Sequence, residues 1–445
     1  MKHIELDHFR CYENQSFDFR PGINLLIGDN ASGKTSLLMA CKYVLSSFFS
    51  GFSDENTKWI SPSKNDFYMR IVDGVLQNGM PLQIKFNFDE NQFPVLNPNI
   101  ANAPFNIDNE FVIQKKSPKN KGALTTGLKD FKNYAFSLQT CYAVFDMNNQ
   151  RQIHTRPLPL FAAFTTEDIH STRKINEKPF RNYFQKRSFG YYECLEGNGL
   201  YPYWRKRLLV LQEGQKNVEE IAVVNKAIYD ALGPEGCNII TGMDVRPMQG
   251  YVYYTLVDGR EIESDLLSDG YKRLVNIVTD IAIRCALLNR PYFGEQSAEL
   301  TKGTVLIDEI DMHLHPSLQA TVLKGLHHAF PNLQFIVTTH APMVMSGVLS
   351  DEDNVVYKLS FSQAAGYTVN EVRPYGLDLS TISKVILNHV PRAQQVQSEI
   401  DHLFALIDND DFDIARLSLN RLRDKFGQNL PELTEAETIL NIEAM

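Results

Sequence analysis

The stretch Gly28-Asp29-Asn30-Ala31-Ser32-Gly33-Lys34-Thr35 constrains the fold more than any other part of the chain. It fills the pattern GxxxxGK[ST]. An apolar run at 23–27 precedes it and a helical stretch at 35–49 follows, the strand–loop–helix context that the pattern needs. The run 23–27 is apolar apart from Asn24, which suits a strand buried on both faces. Glycines let the backbone curl so that its N–H groups point at a β-phosphate, and the helix N-terminus adds positive potential there. Lys34 then reaches the β- and γ-phosphates and the Thr35 hydroxyl ligates Mg²⁺, so ATP and Mg²⁺ are the expected ligands. The fold that follows is α/β, a nucleotide-binding sheet flanked by helices.

Further along, Thr304-Val305-Leu306-Ile307-Asp308-Glu309 is an apolar strand ending in two acids. A parallel strand next to the loop strand would place Asp308 beside the Mg²⁺, accepting a bond from a metal-bound water. Glu309, one residue on, would be the general base for the attacking water. Another apolar strand ends in Thr338-Thr339-His340. A lone histidine is more often structural, but the order of loop, acid strand and histidine strand points His340 at the γ-phosphate. Leu267-Ser268-Asp269-Gly270-Tyr271-Lys272-Arg273 opens a helix, with Ser268 or Asp269 as its cap and Gly270 keeping the entry open to a ligand.

The rest of the chain sets the frame. Its 445 residues give a soft prior of about three domains. Hydrophobic residues at 43% and charged residues at 22% exclude wholesale disorder and fibrous classes. No apolar run approaches the ~18 residues of a membrane span. Acids among the first seven residues argue against a signal peptide. Six scattered cysteines without a CxxC pair suit reduced thiols in the cytoplasm and give no zinc site. A net charge of −9 argues against a surface that coats nucleic acid, though not against a local basic patch. Four regions are expected: 1–50, an N-terminal lobe with the loop; 51–235, an insert, loop-heavy over 51–127 with one clear strand at 82–88, then helical at 130–146 and 201–232; 236–375, a second lobe with the acid strand and His340; and 376–445, a helical tail with breaks near Pro391, 408–411 and 427–431. A helix over 316–330, opened by Pro316, is also expected.

Taken together, these residues resemble the ABC-type ATPase superfamily in its RecF-like and SMC-like branch. The resemblance makes residues 28–35 the Walker A loop, with Ser36 beside it, and Asp308-Glu309 the Walker B pair. It makes Leu267 to Arg273 a signature motif without the transporter form LSGGQ. It also implies that Phe9-Arg10 carries an arginine on nucleotide phosphate, that Asp311 in the segment Ile310 to Pro316 belongs to the D-loop, and that His340 is the switch histidine. In this superfamily the signature of one subunit closes over the ATP of the other, which implies a homodimer or higher homo-oligomer with Ser268, Asp269 and Gly270 acting in trans. Residues 375–379 and the helices after Pro391 are similar to the tail of stand-alone anti-phage defence ATPases such as that of the Septu system, which partners an HNH nuclease. The segment Phe164-Thr165-Thr166-Glu167-Asp168 departs from the tyrosine–arginine signature of that family.

The implied function is an ATP-driven sensor and regulator of a partner nuclease. The alternatives are a RecF-like DNA-repair ATPase that binds DNA directly, and a chain that uses nucleotide as structural glue. The gap between Lys34 and Ser268 is too wide for a compact transporter subunit, and no heptads support a long coiled coil. Two basic runs bear on DNA: 115–121, with four lysines, and 173–187, where Phe180, Tyr183 and Phe184 interleave with six basic residues. Solvated loops account for both more simply. His313 and His315 with Asp311 could suggest a metal site, but Pro316 follows at once and no ligand from elsewhere in the chain is identifiable, which favours a structural loop.

Overall fold

The computed structural model describes residues 1–89, 109–124, 126–148, 156–166, 174–197, 200–216, 218–388, 393–427 and 430–442. The chain divides into two compact units, Met1–Leu377 and Asp378–Met445.

Among the described residues, fifteen strands, all in the first unit, form four sheets. β1 (His3–Phe9), β2 (Tyr12–Asp18), β6 (Leu82–Asn87) and β7 (Phe111–Lys115) make an antiparallel sheet in the order β2-β1-β6-β7. The central sheet contains β3 (Ile23–Ile27), β8 (Leu160–Phe164), β12 (Gly303–Ile307), β13 (Leu333–Thr339), β14 (Val355–Ser362) and β15 (Gly366–Val372). Its order is β15-β14-β3-β13-β12-β8, parallel throughout except for the antiparallel edge β15. β9 (Ile240–Arg246), β10 (Tyr251–Leu256) and β11 (Glu261–Glu263) form a three-stranded sheet, and β4 (Met69–Val72) and β5 (Val75–Asn78) a small hairpin.

β3, β12 and β13 are buried at every position, which is why each reads as a mainly apolar run rather than an alternation, and their buried polar residues, among them Asn24, Thr304, Gln334, Thr338 and Thr339, are hydrogen-bonded. Asn24, the polar residue of β3, donates to the Arg20 and Gly22 carbonyls and accepts from the Arg20 N–H. Helix α1 (Lys34–Ser46) follows the loop and buries Leu37, Leu38, Ala40, Cys41, Val44 and Leu45. Beyond its end, Phe48 meets Phe52, Phe131, Phe161 and Tyr191, with ring centroids 5.4–6.1 Å apart. Such aromatic pairs add ~0.5–1.5 kcal/mol each beyond their buried area. This cluster ties α1 to β8 and to helix α2 (Lys129–Asn148).

Helices α3 (Tyr201–Glu213), α4 (Val218–Leu232) and α5 (Asp269–Phe293) pack together beside the sheet. Their interior is partly ionic. Arg207 and Glu220 form a buried bidentate pair, and Asp280 accepts from Trp204 and Arg284. Each carboxylate is fully engaged, the condition under which a buried charge is tolerated.

The span 51–235, expected as an insert, supplies β6 and β7 to one sheet and β8 to the other. Among the described residues its loop-heavy part contains four strands where one is expected; β7 ends in Lys115, at the head of a lysine run that reads as loop. The helix expected over 316–330 is two, Pro316–Gln319 and Val322–Ala329, interrupted at Ala320 and Thr321. The second unit holds the helices Gln394–Asp408, Phe412–Phe426 and Pro431–Ile442 around a core of Leu403, Ala415, Leu419, Leu422, Leu433, Ala436 and Leu440. Pro391 lies outside the described residues.

Candidate nucleotide-binding site

The loop after β3 ends at Gly33, whose φ of 100° is left-handed backbone. A Cβ there would stand 2.3 Å from the Tyr12 hydroxyl, so only glycine fits. Gly33 is the N-cap of α1 and makes no side-chain cap bond, which leaves the first N–H groups of the helix free for an anion. Lys34 Nζ donates to the Gly28 and Asp29 carbonyls at 2.8 Å. Burial pushes the Lys34 ammonium below its usual range, and the negative charges of Asp308, Asp29, Glu309 and Asp311 oppose that shift.

β13, not β12, is the neighbour of β3. The acid strand therefore lies one strand further from the loop than expected. Strands stand ~4.8 Å apart, so β12 is about 10 Å from β3. Three equally apolar runs carry no information on which one lies in the middle. Asp308 still borders the cleft because β12 and β3 end at the same edge of the sheet. The Thr338 hydroxyl, fully buried, donates to Asp308 Oδ1 at 2.6 Å and accepts from the Glu309 N–H at 2.8 Å. Glu309 has φ 48°, left-handed for a non-glycine residue, and its N–H is held in that geometry by Thr338. Behind the pair, the buried Arg273 guanidinium donates to the Asp308 carbonyl at 2.8 Å and the Glu309 carbonyl at 2.6 Å. Thr339 does for Asp311 what Thr338 does for Asp308: its hydroxyl donates to Asp311 Oδ1 and accepts from the Ala341 N–H.

Asn30, Ala31, Ser32, Gly33, Lys34, Thr35, Ser36, Asp308, Glu309 and His340 line one cleft of about 320 Å³. Cys11 and Tyr367 complete its wall. Sequence reasoning missed both, together with Thr338 and Arg273. Only the tandem threonines before His340 offered a signal, since paired hydroxyls at the end of a buried strand need partners.

Other expected residues lie elsewhere. Arg10, with φ 51°, donates from Nε to Asp66 Oδ1 at 2.7 Å. Asp66 also accepts from Tyr43 Oη and the Ser63 N–H, each at 2.7 Å. Ser268 caps α5 and is exposed, as is Asp269, and neither lines the cleft. Gly270 was expected to keep the helix entry open. It is instead buried against the His313 carbonyl, 2.5 Å from where a Cβ would be. Its smallness serves the packing of α5 onto the segment after Glu309.

Part of each basic run is paired within the chain. Lys115 is buried on β7 and donates to the Pro62 carbonyl. Arg181 and Lys206 share Glu177, Lys186 meets Glu55, and Arg187 donates to the Leu288 and Arg156 carbonyls. Arg173, Glu167 and Asp168 lie outside the described residues. His315 Nδ1 is engaged by Ser317, and among the described residues no group of three or more His, Cys, Asp or Glu side chains could hold a metal. No helix among them is long and apolar enough to cross a membrane.

The chain is similar to the retron Vc95 probable ATPase of Vibrio cholerae serotype O1 biovar El Tor, 41% identical over 104 residues, 23% of this chain and 20% of that protein. It is similar to the Septu protein PtuA of Bacillus mycoides, 43% identical over 86 residues, 19% of this chain and 11% of that protein. The matched stretches thus span a fifth or less of these relatives' lengths. Among solved structures, the SMC head bound to the C-winged helix domain of ScpA covers 84% of this chain and 98% of its own, at 16% identity and a TM-score of 0.45. The model of the family described as "AAA domain, putative AbiEii toxin, Type IV TA system" matches residues 23–346, from the loop strand to beyond His340, and the chain belongs to that family.

Proposed function

We propose that the chain binds Mg²⁺-ATP in this cleft, hydrolyses it, pairs with a second copy around the nucleotide, and regulates a partner nuclease in bacterial anti-phage defence. One observation carries the reading: Lys34, Thr35, Asp308, Glu309 and His340, from three separate stretches of sequence, line a single cleft. The names of the retron and Septu relatives support the defence setting, and a bacterial cytoplasm is the matching compartment.

The donor set suits magnesium, because the Thr35 hydroxyl and the Asp308 carboxylate offer only hard oxygen ligands. These two residues would hold the ion, which neutralises phosphate charge when bound. The roles of the chain's own residues follow. Lys34 and the backbone N–H groups of residues 28–36 hold the phosphates. Glu309 takes the proton of the attacking water, and His340 donates to the γ-phosphate. Ser268 and Asp269, exposed at the start of α5 with Gly270 behind them, meet the nucleotide of the second copy, and Asp311 lies at the same interface. Arg10 joins the phosphates by leaving Asp66.

The test is Glu309→Gln, which keeps the shape and removes the proton acceptor. Turnover should fall about 10²–10⁴-fold while ATP stays bound, and an ATP-bound dimer should accumulate in light scattering. Added to a co-purified nuclease, the trapped form should hold it silent. Unchanged turnover would refute the base assignment. A trapped form that grips duplex DNA and ignores the nuclease would refute the regulator reading.

A further inference from the structure

The order of the central sheet divides the cleft. Glu309 and Asp308 follow β12 and His340 follows β13, all on one side of β3. Tyr367, on β15, lies on the other side, across β14. A triphosphate held by Lys34 and Thr35 with its γ end toward Glu309 therefore has its nucleoside end toward Tyr367. Cys11, Ser36 and Tyr367 line the same cleft. Ser36 is the residue immediately after the Lys34-Thr35 pair, so Tyr367 borders the cleft just beyond the phosphate-binding residues.

Tyr367 is one of a row of rings. Tyr12 stands edge-on to it, centroids 5.5 Å apart, and the Tyr12 hydroxyl is the atom nearest to where a Cβ on Gly33 would be. Phe361, its cross-strand partner on β14, has its ring centroid 4.8 Å away and its plane tilted by 47°, so the two rings form an angled surface. Phe361 is 57% exposed, so the core does not use most of its surface. The row runs from solvent to the phosphate loop.

Resting on the reading of the cleft as a nucleotide site, we propose that Tyr367 and Phe361 form the platform on which the base of the bound nucleotide stacks. Stacking uses the π-face that every base has, so the platform favours nucleotides over base-free phosphates and separates one base from another only weakly.

The experiment is calorimetric titration of the full chain, in Mg²⁺, with ATP, GTP and inorganic tripolyphosphate. Tyr367→Ala should weaken ATP about tenfold or more, a typical loss for one base–aromatic stack, and leave tripolyphosphate unchanged. Phe361→Ala, at an exposed position where folding is not at stake, should weaken ATP severalfold, and Tyr367→Phe should match wild type. GTP should follow ATP in each variant. Equal losses for ATP and tripolyphosphate would make Tyr367 a support of the loop and overturn the platform. Unchanged ATP affinity in both alanine variants would overturn it as well. Lys34→Ala separates the two levels: if it binds ATP as wild type does, the reading of the cleft itself fails.

Discussion

Thr338→Val tests whether a buried hydroxyl positions the proposed base. Valine matches threonine in shape and removes only the hydroxyl that bonds Asp308 Oδ1 and the Glu309 N–H. Losing a hydrogen bond to a charged carboxylate costs about 1.5–3 kcal/mol, and orphaning a backbone N–H about 1–3 kcal/mol. Asp308 is half-buried and water can replace part of its loss, so a total of about 2–4 kcal/mol is expected. Urea unfolding read by tryptophan fluorescence measures this in the right place, because Trp59 and Trp204 both lie in the first unit. The catalytic effect is separate. Left-handed backbone at a non-glycine residue stores about 1–3 kcal/mol, and the Thr338 bond is what holds Glu309 there. Relaxation of Glu309 by an ångström would lower turnover about 10²-fold, with ATP affinity nearly unchanged because Lys34 is untouched. Thr338→Ser keeps the hydroxyl and should recover most of the rate. A Thr338→Val protein that turns over within threefold of wild type, or a Ser variant as slow as Val, would refute the reasoning.

Three further outcomes follow from the same geometry. Burial alone would raise the Asp66 carboxyl, but bonds from Tyr43, Ser63 and Arg10 outweigh it and hold it below the ordinary 3.8. That stabilisation is present above the unfolded value and is lost as pH falls through the lower folded value. Asp66→Asn should therefore cost about 1–3 kcal/mol at pH 6, discounted for the partly exposed Arg10, and should flatten the decline of stability below pH ~4; identical acid limbs would contradict the assignment. Gly270→Ala would force α5 away from the His313 carbonyl, costing at least 1–3 kcal/mol by the usual scale of overpacking, and thermal unfolding would show it. Ser268→Arg should leave ATP binding by the monomer intact yet block the ATP-bound dimer in sedimentation; normal dimerisation and turnover would remove Ser268 from the interface.

What the sequence disclosed depended on how local the cause was. The strand–loop–helix turn at 28–35 was legible because its residues are contiguous and its glycines have a steric reason to be there, as Gly33 has under Tyr12. Buried strands were legible as apolar runs, and their ends fell within a residue or two of Ile23–Ile27, Gly303–Ile307 and Leu333–Thr339. Their order was not, because burial on both faces erases the alternation that would tell an outer strand from an inner one. The Asp66 partner of Arg10 and the His313 contact of Gly270 were hidden for a related reason. Both join residues more than forty positions apart, and no pattern of residue types encodes such a pairing. Tyr367 went unread because a tyrosine on a late hairpin looks like any other edge-strand aromatic until the sheet order puts it beside Ser36.

The misplaced strand carries a consequence for how the cleft works. Successive side chains of a strand point to opposite faces, so Thr338 and Thr339 at the end of β13 serve two carboxylates from two sides. One hydroxyl fixes Asp308 and Glu309, the other fixes Asp311, and His340 follows directly. β13 is also the strand hydrogen-bonded to β3, with Thr339 opposite Ile27 at the root of the phosphate loop. Had β12 lain beside β3, the acids would have touched the loop strand with no intermediary. With β13 between them, the loop strand is joined to Asp308, Glu309 and Asp311 through one strand and two hydroxyls. If Lys34 binds phosphate and Glu309 activates water, as proposed, the two steps share this one strand, and removing one methyl-sized hydroxyl from it should slow the reaction without loosening the nucleotide.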